Sequence, residues 1–429
     1  PLSMVSSLPA GFSISIPQRA VLRKILPNGT TLLYAPNPYN QIVAVRVFSR
    51  LASRHEPGEK AGLANLSMIL LAAGTTRHSE EEIADRLEKN GAHFKAESGK
   101  DLSWVDLKTT THCLREDLDT VLELIDAPTF PEDKVERERD IVRMTLLEQD
   151  DSRLHFTLRI FCQRYFGNHP YAWSSLGRIE NLDAIQRDDL VAFAHAALDP
   201  GNLVVSVVGG DDGNVLDIVS EAFGARPARG AASPPDGPPA TPAIQEDTTI
   251  LEHREAEAEY VVAGYPACGL LDPDRPALTV ISALLGGSMD SRLFKEIRDK
   301  RGLCYQVGTL YSPHRDHTPL ALYTVLSSAN REEALRCMEA EIERLKNESA
   351  PEDELQRVKT CLAGNYVMAL ETNMGQASCY GKFEAAGLGW EYANRYPEAI
   401  QAVTADDIAN AARKWFTFRL LAITAPPGR

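Results

Sequence analysis

The sequence lacks the features that mark disulfide-rich, secreted and membrane-spanning proteins. Its seven cysteines are scattered and odd in number, and no Cys-x-x-Cys pair occurs, which favours free thiols in a reducing compartment. No apolar run approaches the roughly 20 residues of a membrane span. The first residues have no basic stretch followed by an apolar core, so no signal peptide is predicted. We expect a cytoplasmic protein, with a periplasmic one after signal removal as the alternative.

Positive charge is also scarce in this chain. The 45 Lys and Arg residues face 60 Asp and Glu residues, which gives a formal net charge of -15. This balance argues against nucleic acid as the main partner, and no membrane partner is expected. A hydrophobic content of 44% is typical of a soluble globular protein, and 429 residues suffice for about two to three domains.

Familiar catalytic signatures are missing as well. There is no phosphate-binding glycine loop and no local Ser-His-Asp or Cys-His signature. The ten histidines are dispersed. His314 and His317 flank a polar Arg-Asp pair, which we interpret as a loop and not as a metal site. His55 with Glu56, and His169 before Pro170, are interpreted as loop or capping residues.

A change in composition divides the chain. Residues 225–246 are rich in Pro, Gly and Ala and lack apolar periodicity, which predicts a linker. We therefore predict an N-terminal domain over residues 1–224 and a C-terminal domain over 247–429.

The two predicted domains repeat one pattern. Asp188-Asp189 opens a helix before a buried strand, and Asp406-Asp407 does the same 218 residues later. The apolar strands that follow these helices begin at Leu203 and Leu420, which are 217 residues apart. This nearly constant offset indicates a duplicated domain of roughly 200 residues, too long a period for a solenoid. The predicted fold class is α+β, with two similar domains that each have a mostly antiparallel sheet covered by helices.

The stretch SRLFKEIRDKRGLCY, residues 291–305, is basic against an acidic background. Its apolar spacing predicts an amphipathic helix that ends at Gly302 and leads into a strand near Tyr305. One interpretation is a solvated helix face. The other is a guanidinium and a phenol that act on one ligand. Cys304 is interpreted as a buried, unreactive thiol.

Three stretches together resemble the M16 peptidase family, whose members include pitrilysin and the mitochondrial processing peptidase. They are GLANLSMI from Gly62, the segment 169–194, and residues 291–305. The resemblance covers essentially the whole chain, including the duplication. It implies two M16-type domains of the LuxS/MPP-like metallohydrolase fold, in a family described as inverzincins after its inverted zinc motif.

The chain departs from the family at the zinc motif. The family helix reads His-x-x-Glu-His, with two zinc ligands and a general base. Asn65 and Ile69 stand at the histidine positions, and Met68 stands at the position of the base. Thr145 stands where the third ligand, a glutamate, is expected, whereas the supporting carboxylate is retained as Glu138. These side chains cannot replace the lost donors, so we expect no metal in this chain.

The second-domain signature is retained. In zinc-bearing family members an Arg and a Tyr seven residues apart bind the substrate carbonyl and the oxyanion, and Arg298 and Tyr305 match them. The resemblance implies the non-zinc subunit of a bacterial-type heterodimeric peptidase, with zinc in a partner chain and an unfolded peptide as substrate. Two alternatives are a structural or assembly subunit and a stand-alone peptide-binding module. A metal-independent hydrolase is disfavoured.

Overall fold

The computed structural model describes residues 20–210, 213–228, 230 and 239–427. The first half contains thirteen described helices and strands: β1 (Leu22–Ile25), β2 (Thr31–Ala35), β3 (Ile42–Ser49), α1 (Leu63–Ile69), α2 (Glu80–Glu88), β4 (His93–Ser98), β5 (Ser103–Thr110), α3 (Leu114–Asp126), α4 (Glu132–Asp151), α5 (Arg153–Phe166), α6 (Arg187–Ala197), β6 (Leu203–Val208) and α7 (Gly213–Gly224).

The second half contains β7 (Thr248–His253), β8 (Glu259–Ala267), α8 (Arg275–Gly286), β9 (Cys304–Leu310), β10 (Thr318–Leu326), α9 (Arg331–Asn347), α10 (Glu352–Ala369), α11 (Asn373–Ala386), α12 (Tyr392–Ala402), α13 (Ala405–Trp415) and β11 (Leu420–Ala425). The signal-peptide prediction, and the linker prediction at residues 229 and 231–238, fall outside the described residues. The domain limits at 224 and 247 stay predictions.

Each half builds one sheet, and the five strands of the second sheet repeat the topology of β2 to β6 in the first, where β1 is an additional edge strand. The strand orders are β1-β2-β6-β3-β5-β4 and β7-β11-β8-β10-β9, and each sheet has one parallel pair, β2 with β6 and β7 with β11. All other pairings are antiparallel. Helices α6 and α13 begin 218 residues apart, as the sequence repeat indicated. The predicted α+β class with a duplicated architecture is confirmed.

The two halves are interlocked by exchanged helices. Helix α5 of the first half packs on β8 and β11, and α11 of the second half packs on β3 and β6. These two helices lie close to the sheets because at each contact a glycine, which has no side chain, faces an aromatic ring. A Cβ added at Gly264 would lie 2.1 Å from Phe161, and one added at Gly381 would lie 2.6 Å from Phe48. Each sheet therefore buries one face against its own helices and the other against a helix from the opposite half.

Two helices were missed in the sequence, and one was predicted too long. Helix α12 contains Pro397 in its interior, which obscures a helical pattern. Helix α7 directly precedes the Pro- and Gly-rich segment, although Val215, Ile218 and Val219 have helical spacing. The apolar spacing of residues 61–73 predicts a single helix, whereas the structure has the shorter α1 followed by a 3-10 turn, Leu70–Ala73, that stops at Gly74.

Candidate functional site

Helix α1 carries three of the four degenerate zinc-motif positions. It starts at Gly62, whose φ of +111° is left-handed, and a Cβ there would lie 2.9 Å from the carbonyl of Leu176. The buried carboxylate of Glu56 accepts hydrogen bonds from the backbone N–H groups of Gly62 at 3.0 Å and Ala64 at 2.5 Å. Glu56 thus caps α1, which confirms the capping interpretation. Burial raises the pKa of Glu56 to about 7.

The side chains at these three positions belong to the core. Met68 is fully buried at 0% exposure within the hydrophobic cluster of the first half, and Ile69 packs against that cluster. Asn65 is buried, and its Nδ2 has no hydrogen-bond partner within the described part of the chain. The position of the general base is therefore occupied by a side chain that packs in the hydrophobic core.

Helix α4, which packs against α1, carries the fourth position. The hydroxyl of Thr145 donates to the backbone carbonyl of Ile141 one turn earlier at 2.9 Å, as threonines in helices commonly do. Met144 and Ile141 are exposed beside it. Glu138, at the position of the supporting carboxylate, is half-buried and pairs with the neighbouring Arg137.

These residues do not fit zinc. Isoleucine has no donor atom, the thioether of Met68 is packed in the core, and the hydroxyl of Thr145 is engaged by its own helix. Residues 20–427, where described, hold no group of three or more His, Cys, Asp and Glu side chains that could bind a metal ion.

Arg298 lies in a different kind of helix from the one predicted. The stretch forms a π-helix, Phe294–Asp299, in which the N–H of Lys300 bonds to the carbonyl of Lys295 at 2.9 Å. Leu293 and Ile297 are buried, as the apolar spacing indicated. The predicted helix is present, with a left-handed Gly302 after it and β9 starting at Cys304, but its turn is wider by one residue than that of an α-helix. Such π-turns are rare and frequently occur at functional sites.

The widened turn leaves Arg298 exposed. Its guanidinium lies 5.0 Å above the ring of Phe294, and within the described residues it forms no hydrogen bond or ion pair. The other cations of the stretch are paired on the surface: Lys295 with Asp290, Lys300 with Glu296, and Arg301 with Glu333. Arg292 belongs to the same basic stretch, but its side chain is buried and donates two hydrogen bonds to the carboxylate of Glu354.

Tyr305 lies at a second irregularity, a β-bulge. Cys304 pairs with Leu326 and Gln306 pairs with Val325, so Tyr305 is the extra residue between them. Its side chain is 65% exposed, and its hydroxyl has no partner among the residues that the structure describes. Strand β9 is the edge of the second sheet, so one side of it is free for another strand. Cys304 is half-buried and not buried as predicted, and this partial burial raises the pKa of its thiol, in line with an unreactive side chain.

The comparisons with known proteins agree with this architecture. The family described as "Insulinase (Peptidase family M16)" matches residues 31–174, and "Peptidase M16 inactive domain" matches residues 184–362. The chain belongs to the M16 peptidase family.

Relatives and solved structures extend the likeness over nearly the whole chain. The uncharacterized zinc protease YmxG of Bacillus subtilis is 24% identical, with 95% of this chain and 99% of YmxG covered. An uncharacterized zinc protease of Rickettsia felis is 25% identical over 91% and 94% of the two chains. Among structures, a protease from Helicobacter pylori has a TM-score of 0.86 at 21% identity, covering 95% of this chain and all of that one.

A second structure shares the fold. The "peptidase M16 inactive domain" from Pseudomonas fluorescens has a TM-score of 0.84 at 23% identity, covering 95% of this chain and 98% of that one. No described helix of the M16 chain is long and apolar enough to cross a membrane. All seven cysteines are free.

Proposed function

We propose that this M16 chain is the non-zinc subunit of a two-chain peptidase and that Arg298 and Tyr305 complete the active site of a zinc-carrying partner. The observation that carries the proposal is an asymmetry between the two halves. The zinc-motif positions of the first half are packed or self-bonded, as Met68 and Thr145 show. In the second half, Arg298 and Tyr305 remain exposed and lack partners within the described residues.

The backbone around this pair supports a role in binding. A π-turn and a β-bulge each disturb regular hydrogen bonding, and both occur within residues 294–305. Such irregularities change the direction in which side chains point, and they lower stability unless the surrounding structure compensates for them. A purely structural subunit would gain nothing from an unpaired guanidinium and an unpaired phenol at two neighbouring irregularities.

The chemistry of the two side chains suits peptide hydrolysis. When bound in the partner, zinc would supply the activated water. Arg298 offers a fixed planar cation and Tyr305 a neutral O–H donor, and both can stabilise negative charge that develops on a peptide carbonyl oxygen. The free edge of β9 can accept an extended peptide as an added strand, with main-chain hydrogen bonds providing affinity. The proposed substrate is therefore an unfolded peptide.

The test compares matched variants in the complex with the zinc-carrying chain. Arg298→Ala and Tyr305→Phe are each expected to lower kcat by about 10²–10³, as for loss of one oxyanion donor. Arg301→Ala, an exposed neighbour paired with Glu333, and Tyr39→Phe, at 87% exposure, are the controls and should leave kcat unchanged. If all four variants have the wild-type kcat, the proposal is wrong and the structural-subunit alternative is favoured.

A further inference from the structure

A cavity of about 650 Å³ lies where the two halves meet. The first half contributes side chains from β3, β5 and the turn between β4 and β5, and the second half contributes residues 312–315 and part of α11. Ligand sites typically have volumes of about 300–1,000 Å³. Its lining does not include Arg298 or Tyr305, so the cavity is separate from the proposed oxyanion-binding pair.

The lining of this cavity is strongly positive in a chain of net charge -15. Only two lining residues, Asp101 and Glu384, are acidic. When the ion-paired neighbours Arg23, Asp106 and Asp316 are included, seven Lys and Arg side chains face four carboxylates, an excess of three positive charges. Six lining residues are basic: Arg46, Arg50, Arg54, Lys100, Arg315 and Lys382.

Part of this charge is compensated by the protein itself. Arg46 forms a bidentate pair with Asp106. The buried Arg54 reaches Asp101 at 3.3 Å and Asp316 at 2.9 Å, and so ties the two halves together. These pairs have structural roles and account for only part of the positive lining.

Arg50 and Lys382 are not compensated in this way. Within the described ranges, neither side chain forms a hydrogen bond or an ion pair. Arg50 is half-buried, whereas Lys382 is exposed at the cavity wall. The carboxylate of Glu384 attracts Arg50 within the same lining, but it is already paired with Arg23, so the half-buried Arg50 has no acceptor of its own to replace the water that burial removes.

Two buried donors in the same lining also lack acceptors. The Nε of Arg54 and the Nε1 of Trp104 are shielded from water, and neither has a partner in the described part of the chain. Each unsatisfied buried donor costs roughly 1–3 kcal/mol. Neither atom is open to the cavity, so it is the excess of positive charge, with Arg50 and Lys382 unpaired within the described residues, that favours an oxygen-bearing anion as the ligand.

Part of the remaining lining is apolar. Phe48 and Trp104 provide aromatic surface, with the Arg46 guanidinium 5.7 Å from each ring centroid. Leu102, Leu270 and Pro313 complete this wall. An inorganic ion would leave this surface without contacts, whereas an anion on a flat apolar body would cover it.

We infer that this cavity binds a small organic anion, a carboxylate or phosphate carried on a flat apolar body, through the cations Arg50 and Lys382 and the aromatic surface of Phe48 and Trp104. The ligand contacts both halves, so it also stabilises their contact. This inference is independent of the proposed peptidase role, because the cavity includes neither Arg298 nor Tyr305.

Calorimetric titration of the full chain tests the inference. Phenyl phosphate and benzoate should bind saturably at one per chain, inorganic phosphate at least about tenfold more weakly, and neutral phenol not measurably. Arg50→Gln should weaken binding of the anions about 10- to 100-fold, as for loss of one charged hydrogen bond. Arg137→Gln, which changes an arginine whose side chain is 56% exposed on α4, is the matched control and should bind like wild type.

A second measurement reports on the position of the ligand. Phenyl phosphate should change the tryptophan fluorescence of the wild-type chain, and Trp104→Phe should remove that change while the chain stays folded by circular dichroism. The inference is overturned if neither organic anion binds saturably, or if Arg50→Gln binds as tightly as Arg137→Gln. Equal binding of inorganic and phenyl phosphate would contradict the need for an apolar body.

Discussion

Met68→Glu restores the residue type that a general base would need, at a position that is now core. Met68 is fully buried at 0% exposure, so the new carboxyl group would have neither water nor a designated partner. Keeping such a group neutral costs about 1.4 kcal/mol for each pH unit above its usual pKa of roughly 4.3. The variant should therefore lose about 5 kcal/mol of unfolding free energy at pH 8 and only about 1 kcal/mol through this effect at pH 5.

The assay is urea unfolding at both pH values, with Met144→Glu as the matched control. Met144 is 58% exposed on α4, beside Thr145, so the same substitution should change the unfolding free energy by less than about 0.5 kcal/mol at either pH. A loss below about 1 kcal/mol for Met68→Glu at pH 8 would refute the reasoning. It would mean that position 68 remains open to water, as in a site that could still accept a base.

Three further predictions concern stability, each measured by urea unfolding. Gly264→Ala places a Cβ 2.1 Å from Phe161 and should lower the unfolding free energy by about 1–3 kcal/mol. Adding Phe161→Leu to this variant should recover part of the loss. If the losses of the two single variants simply add in the double variant, the proposed clash is contradicted. Burial raises the pKa of Glu56 to about 7, so the stability that its protonation provides is fully present below about pH 4.5 and is lost as the pH rises through 7. The stability deficit of Glu56→Gln relative to wild type should therefore be about 2.5 kcal/mol larger at pH 5 than at pH 8; a pH-independent difference would contradict this assignment. Ser79→Ala removes the acceptor for the N–H of Glu82 and should cost about 1 kcal/mol, whereas an unchanged value would show that the cap contributes nothing.

Local sequence signals predicted much of the fold. Ser79 with Glu82 forms the capping box that starts α2, because a short hydroxyl side chain followed three residues later by a carboxylate satisfies two free N–H groups. The repeat between α6 and α13 was visible because both helices open on paired aspartates before a buried strand. Such features depend only on residues close together in the chain.

Features that depend on distant residues were not predictable in the same way. The exchange of α5 and α11 between the halves depends on glycines beneath aromatic rings more than 100 residues away, such as Gly264 and Phe161. The sequence pattern indicated a helix around Arg298 with Leu293 and Ile297 buried, but it did not indicate the π-turn in that helix. The bulge at Tyr305 depends on its pairing with β10.

The basic cavity shows the same limit. Its cations are spread from β3 to α11, and only the fold brings them together. No sequence window around Arg50 or Lys382 sets them apart from the solvated charges elsewhere in the chain.

The most direct test of the central claim is a titration of this chain into a fixed amount of the zinc-carrying M16 chain. Cleavage of an unfolded peptide should rise with added chain and saturate at equimolar ratio, and metal analysis of the separated subunits should find zinc only in the partner. The account is contradicted if this chain alone binds one zinc and cleaves the peptide, or if the zinc-carrying chain reaches its full rate without it.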